Sequence, residues 1–257
     1  MAFFNLYNTK IKAVAATVPD DVEYTTDYKE LFGEEHVKKF IMSTGVKRRF
    51  TTHRLGVTAS DLCCAAAEKI LTELNYDRSK IDALIFASSS RDYLQPVTAT
   101  ILQDRLGLSD DCMCYDVPLG CSAYVYGLYL AAMHINSGCR SVLLLAGSTG
   151  EQLPEGYVPK EIPMLFGNGG SATLLEYDEN AETVYGLLRS IGRDFKMLAS
   201  PFSGQRHPFW PMVQKFGYEQ ACVYRDLFHM EGMDVMRFSL KEVVAMINDF
   251  KEHFNCN

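Results

Sequence analysis

The sequence lacks the features expected of a membrane protein, a secreted protein or a nucleic-acid-binding protein. None of its apolar runs approaches the about 18 residues that a membrane-spanning helix needs. Its first ten residues have neither the positively charged start nor the long apolar stretch of a secretory signal. The net charge of −7 argues against a nucleic-acid partner, for which a basic stripe is expected. These absences predict a cytoplasmic globular protein with no membrane partner.

The eight cysteines and six histidines lack the spacing of a metal site or of a disulfide framework. Cys63 and Cys64 are adjacent within a helical pattern. Cys112 and Cys114 are separated by one residue, not by the two to four of a zinc-binding pair, and no second pair follows. A chain of 257 residues without an export signal is expected to keep its thiols reduced. We therefore expect no metal site and no disulfides.

Strand-like and helix-like segments alternate over the first 150 residues. Ile81–Ser88 and Arg140–Ser148 have the composition of buried strands, and Thr58–Leu74 has the pattern of a strong helix. This alternation predicts an α/β fold with right-handed βαβ crossovers and a mainly parallel sheet covered by helices on both faces. Residues 192–228 show no periodicity and predict a long surface segment with some helix. Met230–Phe254 predicts one long helix.

One cysteine stands at a predicted turn between a strand and a helix. Met113–Val117 predicts the strand, Ser122–Asn136 predicts the helix, and Gly120 supplies the turn between them. Cys121 therefore lies at a helix N-terminus, where unpaired amides and the helix dipole favour a thiolate. The alternative is a small core residue, because free cysteine is among the most buried residue types. From the turn alone, both interpretations stand open.

Four short segments match, in order along the chain, motifs of one known enzyme family. Residues 44–49, Thr-Gly-Val-Lys-Arg-Arg, are similar to Thr-Gly-Ile-x-x-Arg. Residues 116–128 are similar to Asp-x-x-x-x-Cys-Ser/Ala-Gly-Phe-x-Tyr-x-Leu, with Cys121 at the nucleophile position. Residues 166–172, Phe-Gly-Asn-Gly-Gly-Ser-Ala, are similar to Phe-Gly-Asp-Gly-Ala-Gly-Ala, and residues 230–235 to Met-x-Gly-x-x-Val. Together they resemble β-ketoacyl-acyl carrier protein synthase III, a condensing enzyme of the thiolase superfamily.

The resemblance implies a thiolase-like fold of two fused βαβαβαββ halves. Residues 1–178 would form the complete N-terminal half, and residues 179–257 the beginning of the second half. Cys121 would take an acyl group from an acyl thioester such as acyl-coenzyme A, and its backbone N–H would serve one side of an oxyanion hole. Malonyl-acyl carrier protein would then lose CO₂, and its carbanion would attack the acyl-cysteine. The resemblance thus implies acyltransferase chemistry in fatty acid or related biosynthesis, with thioester substrates and no separate cofactor.

Five further residues are candidates for substrate binding. Lys39 stands where the family often has a tryptophan that stacks on the coenzyme A adenine, so it would meet a phosphate instead. Gln95 replaces a gating phenylalanine that reaches across the dimer. Lys47, Arg48 and Arg49 are a candidate basic patch for a phosphopantetheine arm or a carrier protein. The alternatives are a solvated helix lysine at position 39, plain surface at position 95 and an exposed turn at positions 47–49.

Residues 166–170 do not have the spacing of a phosphate-binding loop. No G-x-x-x-x-G-K-[ST] pattern is present and no lysine follows. The glycines are expected to allow close backbone packing beside the nucleophile.

The family's other two catalytic residues have no counterpart in this sequence. They are a histidine in His-Gln-Ala-Asn and an asparagine in Gly-Asn-Thr-Ser, both after the long helix of the second half; His253 lies within that helix. We therefore expect a C-terminally incomplete family member that does not condense alone. The alternatives are a non-condensing dimer partner and an acyltransferase or thioesterase-like protein that uses only Cys121. The resemblance also implies a homodimer, in which the strand before Cys121 pairs across a two-fold axis.

Overall fold

The computed structural model describes residues 2–52, 56–150, 162–200, 205–226 and 228–256. The strands are β1 Ala2–Leu6, β2 Thr9–Thr17, β3 Asp21–Tyr24, β4 Arg48–Thr51, β5 Ile81–Ala87, β6 Met113–Val117, β7 Ser141–Ser148, β8 Gly169–Tyr177, β9 Val184–Leu188, β10 Leu198–Ala199 and β11 His229–Met230. The α-helices are α1 Lys29–Phe32, α2 Glu34–Thr44, α3 Ala59–Glu73, α4 Thr98–Arg105, α5 Ala123–Asn136, α6 Ile162–Leu165, α7 Phe209–Phe216, α8 Tyr218–Asp226, α9 Gly232–Phe238 and α10 Val244–Phe254.

The chain divides into two compact units. The larger unit, residues 5–150 and 165–184, contains the main sheet and the turn that carries Cys121. The smaller unit comprises residues 1–4, 151–164 and 185–257. In the smaller unit, the π-helical segment Ser239–Val243 joins α9 to α10, so the predicted long helix is confirmed from Gly232 to Phe254. The expected boundary between halves at residue 178 stays a prediction.

The main sheet has five strands in the order β2-β8-β7-β5-β6. β5 pairs in parallel with β6 and with β7, whereas β8 is antiparallel to both β7 and β2. Four strands therefore run in one direction and β8 runs in the other, so the sheet is more mixed than expected. A parallel return needs a crossover that is usually a helix, and the described part of the β7–β8 connection holds only the four-residue helix α6.

The sheet is covered on both faces, as predicted. Leu84 and Phe86 of β5 pack in one buried cluster with α3 and α4. Ala83 and Ile85 of the same strand pack in a second buried cluster with α5. Alternate side chains of a strand point to opposite faces, so β5 contributes to both cores and is almost entirely apolar.

Two glycines allow helices to approach this sheet closely. A Cβ at Gly170 of β8 would lie 2.5 Å from the backbone nitrogen of Cys63, so the backbone of α3 rests directly on the strand. A Cβ at Gly127 of α5 would lie 2.5 Å from Leu144 Cδ1 of β7. The glycine-rich segment that runs into β8 thus packs closely against α3 at Gly170, which agrees with the expected role in backbone packing. Among the described residues, no helix is both long enough and apolar enough to span a bilayer.

Candidate active site

The turn that carries Cys121 lies at the carboxyl edge of the parallel strands. Ala87 at the end of β5 pairs with Val117 of β6 and with Ala146 of β7. Ser148 pairs with Gly169, so the start of β8 lies at the same edge. In open α/β sheets, ligands bind outside the carboxyl ends of the strands. This edge of the sheet therefore contains the Cys121 turn, the loop after β5 and the segment before β8.

Residues 118–122 turn the chain sharply from β6 into α5. The N–H of Leu119 donates to the Val117 carbonyl at 2.8 Å, and the N–H of Ala123 donates to the Gly120 carbonyl at 2.9 Å. Within the described chain, the N-cap Ser122 makes no side-chain capping bond. Cys121 is exposed. The structure thus has the predicted strand–turn–helix arrangement, and the exposure of Cys121 argues against a core role.

The carboxylate of Asp116 joins β6 to the neighbouring helix α4. One oxygen accepts the N–H of Thr98 at 2.9 Å, and the other accepts the N–H of Ala99 at 2.8 Å. These are the first two amides of α4, which have no partner within the helix. Gln95 is exposed in the loop that leads into α4, three residues before Thr98. Sequence analysis missed this role of Asp116, although the residue opens the nucleophile motif.

Arg49 is enclosed and bound to protein groups. Its guanidinium bonds to the carboxylate of Glu23 and the hydroxyl of Tyr28, and it donates to the Phe166 carbonyl at 3.0 Å. The Arg49 side chain is only 14% exposed. Burial, with a further contribution from Glu23, raises the pKa of Tyr28 to about 12. Arg49 therefore links the two-stranded sheet of β3 and β4 to the segment before β8.

The other basic candidates lie on the surface. Lys47 and Arg48 are exposed where the chain passes from α2 into β4. Gly45 ends α2 with a φ of 75°, which is the left-handed conformation that glycine adopts readily. Lys39 is exposed on α2, with its Nζ 4.0 Å from a carboxylate oxygen of Glu35. Their roles in substrate binding stay predictions.

Asn168 is a second connecting residue that sequence analysis did not single out. Its Nδ2 donates to Thr52 Oγ1 at 2.9 Å, and its Oδ1 accepts the N–H of Gly150 at 2.8 Å. Its own N–H donates to the Phe50 carbonyl at 2.8 Å. The side chain therefore ties Thr52, the residue after β4, to Gly150, two residues after β7. The sequence feature that could have identified Asn168 is its place in the Phe-Gly-Asn-Gly segment.

His134 is placed away from the thiol, although both belong to the same strand–helix unit. It lies in the last turn of the 14-residue helix α5, about 20 Å along the axis from the end that carries Cys121. Its Nε2 is 2.8 Å from the Tyr115 hydroxyl, and burial lowers its pKa. The described residues also contain no group of three or more His, Cys, Asp or Glu side chains that could hold a metal ion.

Comparison with known proteins connects this geometry to one enzyme family. The model of 3-oxoacyl-[acyl-carrier-protein] synthase III matches residues 115–190, which include Cys121. A Campylobacter jejuni protein assigned as a 3-oxoacyl-[acyl-carrier-protein] synthase 3 is 31% identical over 245 residues, which are 90% of this chain. The chain belongs to the 3-oxoacyl-acyl-carrier-protein synthase III family. Members of this family are acyl-transferring condensing enzymes.

Other relatives agree in sequence and in fold. The β-ketoacyl-[acyl-carrier-protein] synthase III of Lactobacillus helveticus is 28% identical over 250 residues, or 96% of this chain. The crystal structure of a 3-oxoacyl-(acyl-carrier protein) synthase from Burkholderia xenovorans superposes on 98% of the chain with a TM-score of 0.85 and 27% identity. OleA of Xanthomonas campestris shares the fold, with a TM-score of 0.76. The expected thiolase-like fold is confirmed.

The chain spans only part of the length of these relatives. It covers 66% of the Campylobacter protein, 72% of the Lactobacillus protein and 70% of the Burkholderia chain. Family membership therefore rests on the matched part, which contains the proposed nucleophile.

Replacing Arg49 by glutamine should destabilise the fold, whereas replacing Arg48 should not. Arg49→Gln removes the cationic partner of the Glu23 carboxylate, which is only 23% exposed, and a hydrogen bond to the Phe166 carbonyl, at a cost on the order of 1–3 kcal/mol. Arg48→Gln removes the same charge from an exposed neighbour and is the matched control. Thermal unfolding followed by circular dichroism measures both. Equal melting temperatures would show that the Arg49 cluster does not stabilise the protein.

Proposed function

We propose that Cys121 accepts an acyl group from an acyl thioester, such as acyl-coenzyme A, as the first half-reaction of a synthase III-type condensation. The observation that carries this proposal is an exposed thiol at the start of α5, inside the segment that matches the family model. A nucleophilic cysteine needs access to solvent and a site that favours negative charge, and the β6–α5 turn offers both.

The proposed chemistry uses the thiolate and the amides of the turn. The thiolate attacks the thioester carbonyl carbon and forms a new C–S bond, while the negative charge moves to the carbonyl oxygen. The N–H of Cys121 can donate to that oxyanion. When the intermediate collapses, the original C–S bond breaks and the coenzyme A or pantetheine thiolate leaves. The acyl-cysteine remains a thioester, so its carbon stays electrophilic for a carbanion formed from malonyl-acyl carrier protein by loss of CO₂. This scheme requires no cofactor beyond the thioester substrates.

A second candidate function is that of an incomplete protomer, and the long helix of the smaller unit favours it. Its outer face carries an apolar stripe of side chains that are 40–66% exposed: Met233, Met236, Leu240, Val243, Val244 and Ile247. Apart from the adjacent Val243 and Val244, successive members are three or four residues apart, which places them along one side of the helix. An exposed apolar surface of this kind marks an interaction site. It supports a protomer whose stripe is covered by a further segment of the thiolase-like fold.

The edge of the main sheet supports a homodimer. β6 is the last strand of the sheet, so one of its sides is unpaired within the described residues. Met113 of β6 is 45% exposed, and Val125 and Met133 of α5 are 51% and 44% exposed. An apolar edge strand readily pairs with another chain. A second copy pairing at β6 would bury this edge.

The state of the cysteines supports a reducing compartment. All eight cysteines are free, including the adjacent pair Cys63 and Cys64. Disulfides are rare in proteins that fold in the cytosol. We propose that the reaction takes place in the cytoplasm.

Acyl transfer predicts a covalent adduct on one cysteine. After incubation with acyl-coenzyme A species of several chain lengths, intact mass spectrometry should show the added mass of one acyl group, and peptide mapping should place it on Cys121. Cys121→Ser should form no thioester adduct. The exposed Cys256 is an internal control, because it lies near the end of the chain and outside the turn. A folded protein without an adduct, or with equal labelling of Cys256, would contradict the proposal.

The 257-residue chain should decarboxylate malonyl-acyl carrier protein slowly. Enolate stabilisation in the family needs a histidine and an asparagine whose motifs are absent from this sequence, and losing one such donor typically costs about 10²–10³ in rate. Release of CO₂ from labelled substrate measures the rate, with the β-ketoacyl-[acyl-carrier-protein] synthase III of Lactobacillus helveticus as the positive control. A decarboxylation rate equal to that of the relative would contradict this prediction.

The dimer predicts a mass of twice 28.9 kDa in solution. Met113→Lys should shift the protein to monomers, because it places a charge on the pairing edge. Met42→Lys adds the same charge at a site that is 85% exposed on α2, and it should leave the dimer intact. Light scattering coupled to size-exclusion chromatography measures both. A monomeric parent protein would overturn the proposal.

A further inference from the structure

Two cysteines lie close together where β6 begins. Cys112 ends a tight turn, in which its N–H donates to the Ser109 carbonyl at 3.0 Å, and Cys114 is the second residue of the strand. The Cys114 thiol folds back and donates to the Cys112 carbonyl at 3.4 Å. Both side chains pack with the buried cluster that contains Leu84 and Phe86 of β5. The two thiols therefore share one face of the sheet and one short stretch of backbone.

The backbone at this place is close to the geometry that a disulfide needs. Residues two apart in a regular strand have Cα atoms about 6.6 Å apart, and disulfides join Cα atoms that are about 4.4–6.8 Å apart. β6 begins at Met113, so Cys112 lies in a bend outside the regular strand. A local movement of the backbone at Cys112 and Met113 is therefore enough to bring the two sulfur atoms into bonding distance.

The two thiols differ in their access to solvent and in their ionisation. Cys114 is half-buried, whereas Cys112 is buried. A hydrogen bond with Cys112 lowers the pKa of the Cys114 thiol, while the same bond, together with burial, raises the pKa of Cys112. Because the thiolate is the reactive form, Cys114 is the cysteine that reacts first. A reactive thiol beside a second, resolving thiol is the arrangement typical of redox sensors.

The other neighbouring pair of cysteines lacks these properties. Cys63 and Cys64 are adjacent within α3, and side chains of adjacent helical residues do not face each other. Both are buried, and burial raises the pKa of Cys63 to about 12. This pair is therefore a suitable internal control for the pair at the start of β6.

We propose that Cys112 and Cys114 form a redox-active dithiol that hydrogen peroxide converts to a disulfide, which opens the start of β6. The Cys114 thiolate attacks one peroxide oxygen, the O–O bond breaks, and the departing hydroxide takes up a proton to become water. Cys114 is then a sulfenic acid. The Cys112 sulfur gives up its proton and attacks the Cys114 sulfur, the S–O bond breaks, and a second water leaves. The dithiol loses two electrons, and the peroxide is reduced to two waters.

The disulfide acts on the first residues of β6. Met113 and Cys114 are in register with Ala83 and Leu84 of β5. Most disulfides have Cα atoms about 5.5–6 Å apart, which is shorter than the spacing of an extended strand. Closing the ring therefore takes residues 112–114 out of extended geometry and weakens their pairing with β5. No step of this reaction uses Cys121, so the inference is independent of the proposed acyl transfer.

The first test is oxidation of the double variant Cys121→Ser/Cys256→Ser, which lacks the two exposed cysteines and is named the test protein. After treatment with hydrogen peroxide, intact mass spectrometry should show the loss of two hydrogen atoms, and dithiothreitol should restore the mass. Peptide mapping should place the disulfide between Cys112 and Cys114. An unchanged mass would overturn the proposal, and so would a disulfide between Cys112 and Cys139.

Single variants of the test protein identify the cysteine that reacts first. Cys112→Ser cannot close the disulfide, so peroxide should leave a sulfenic acid on Cys114, which dimedone traps as a stable adduct. Cys114→Ser should give no dimedone adduct on Cys112, because that thiol is buried and its pKa is raised. A dimedone adduct on Cys112 alone would contradict the proposed order of reaction.

A trivalent arsenical tests the pair without any oxidation. Phenylarsine oxide bonds two neighbouring thiols at once, so the test protein should bind one equivalent. Cys112→Ser and Cys114→Ser should each lose about 10²-fold or more in affinity, because the second bond of the arsenical is intramolecular. Cys64→Ser is the matched control, since it removes one thiol of the pair in α3 and should keep the affinity. Undiminished binding by Cys112→Ser or Cys114→Ser would show that the two thiols do not act together.

Amide hydrogen exchange tests the effect of the disulfide on β6. Residues 113–115 should exchange faster in the oxidised test protein than in the reduced one, whereas residues 141–146 of β7 should not change. Cys112→Ser treated with the same peroxide is the control, because it cannot form the disulfide. Equal exchange of residues 113–115 in the oxidised and reduced test protein would overturn the proposed opening of β6.

Discussion

The pairing of β5 on both of its sides is the constraint on which the proposed site depends. Hydrogen bonds to β6 and to β7 fix its register twice, and its side chains from Ala83 to Ala87 are buried. A slip by one residue would exchange the two faces of the strand and move Phe86 out of its core. Because the register is fixed, β6 ends level with β5, and the chain turns at a defined place. The exposed position of Cys121 is thus a consequence of a buried strand.

The elements around Cys121 were predictable because their signals are local. Continuous apolar runs mark β5 and β7, and a proline and a glycine mark the end of β6 and the turn. The direction of β8 carried no such signal, because pairing with β2 and β7 is decided by contacts across the chain. Arg49 shows the same limit. It bonds to the carbonyl of Phe166, which is 117 residues away in the sequence. The sequence therefore predicted one basic patch of three residues, whereas the Arg49 side chain makes structural bonds within the fold.

The glycine-rich segment that runs into β8 was located correctly from its sequence motif, but the motif did not show what the segment does physically. The resemblance located residues 166–172, and the missing lysine excluded a phosphate loop. Only the structure shows that Gly170 lets the backbone of α3 approach and that Asn168 ties Thr52 to Gly150. Both roles hold neighbouring segments in place at the edge where Cys121 lies. A motif shared by a family of enzymes can therefore serve the scaffold of a site without touching the substrate.

Each of the two units has an exposed apolar surface, and covering that surface would affect the proposed reaction differently in each unit. In the larger unit, the free side of β6 belongs to the strand that carries Asp116 and leads into Cys121, so pairing at this edge would restrain the nucleophile directly. In the smaller unit, the stripe centred on Leu240 lies on a helix whose other side carries half-buried groups such as Asp249, which is paired with Arg189. Covering that stripe would stabilise the helix. The larger unit can therefore hold the thiol in place while the smaller unit still has an exposed apolar surface. For this reason acyl transfer and condensation have to be measured separately.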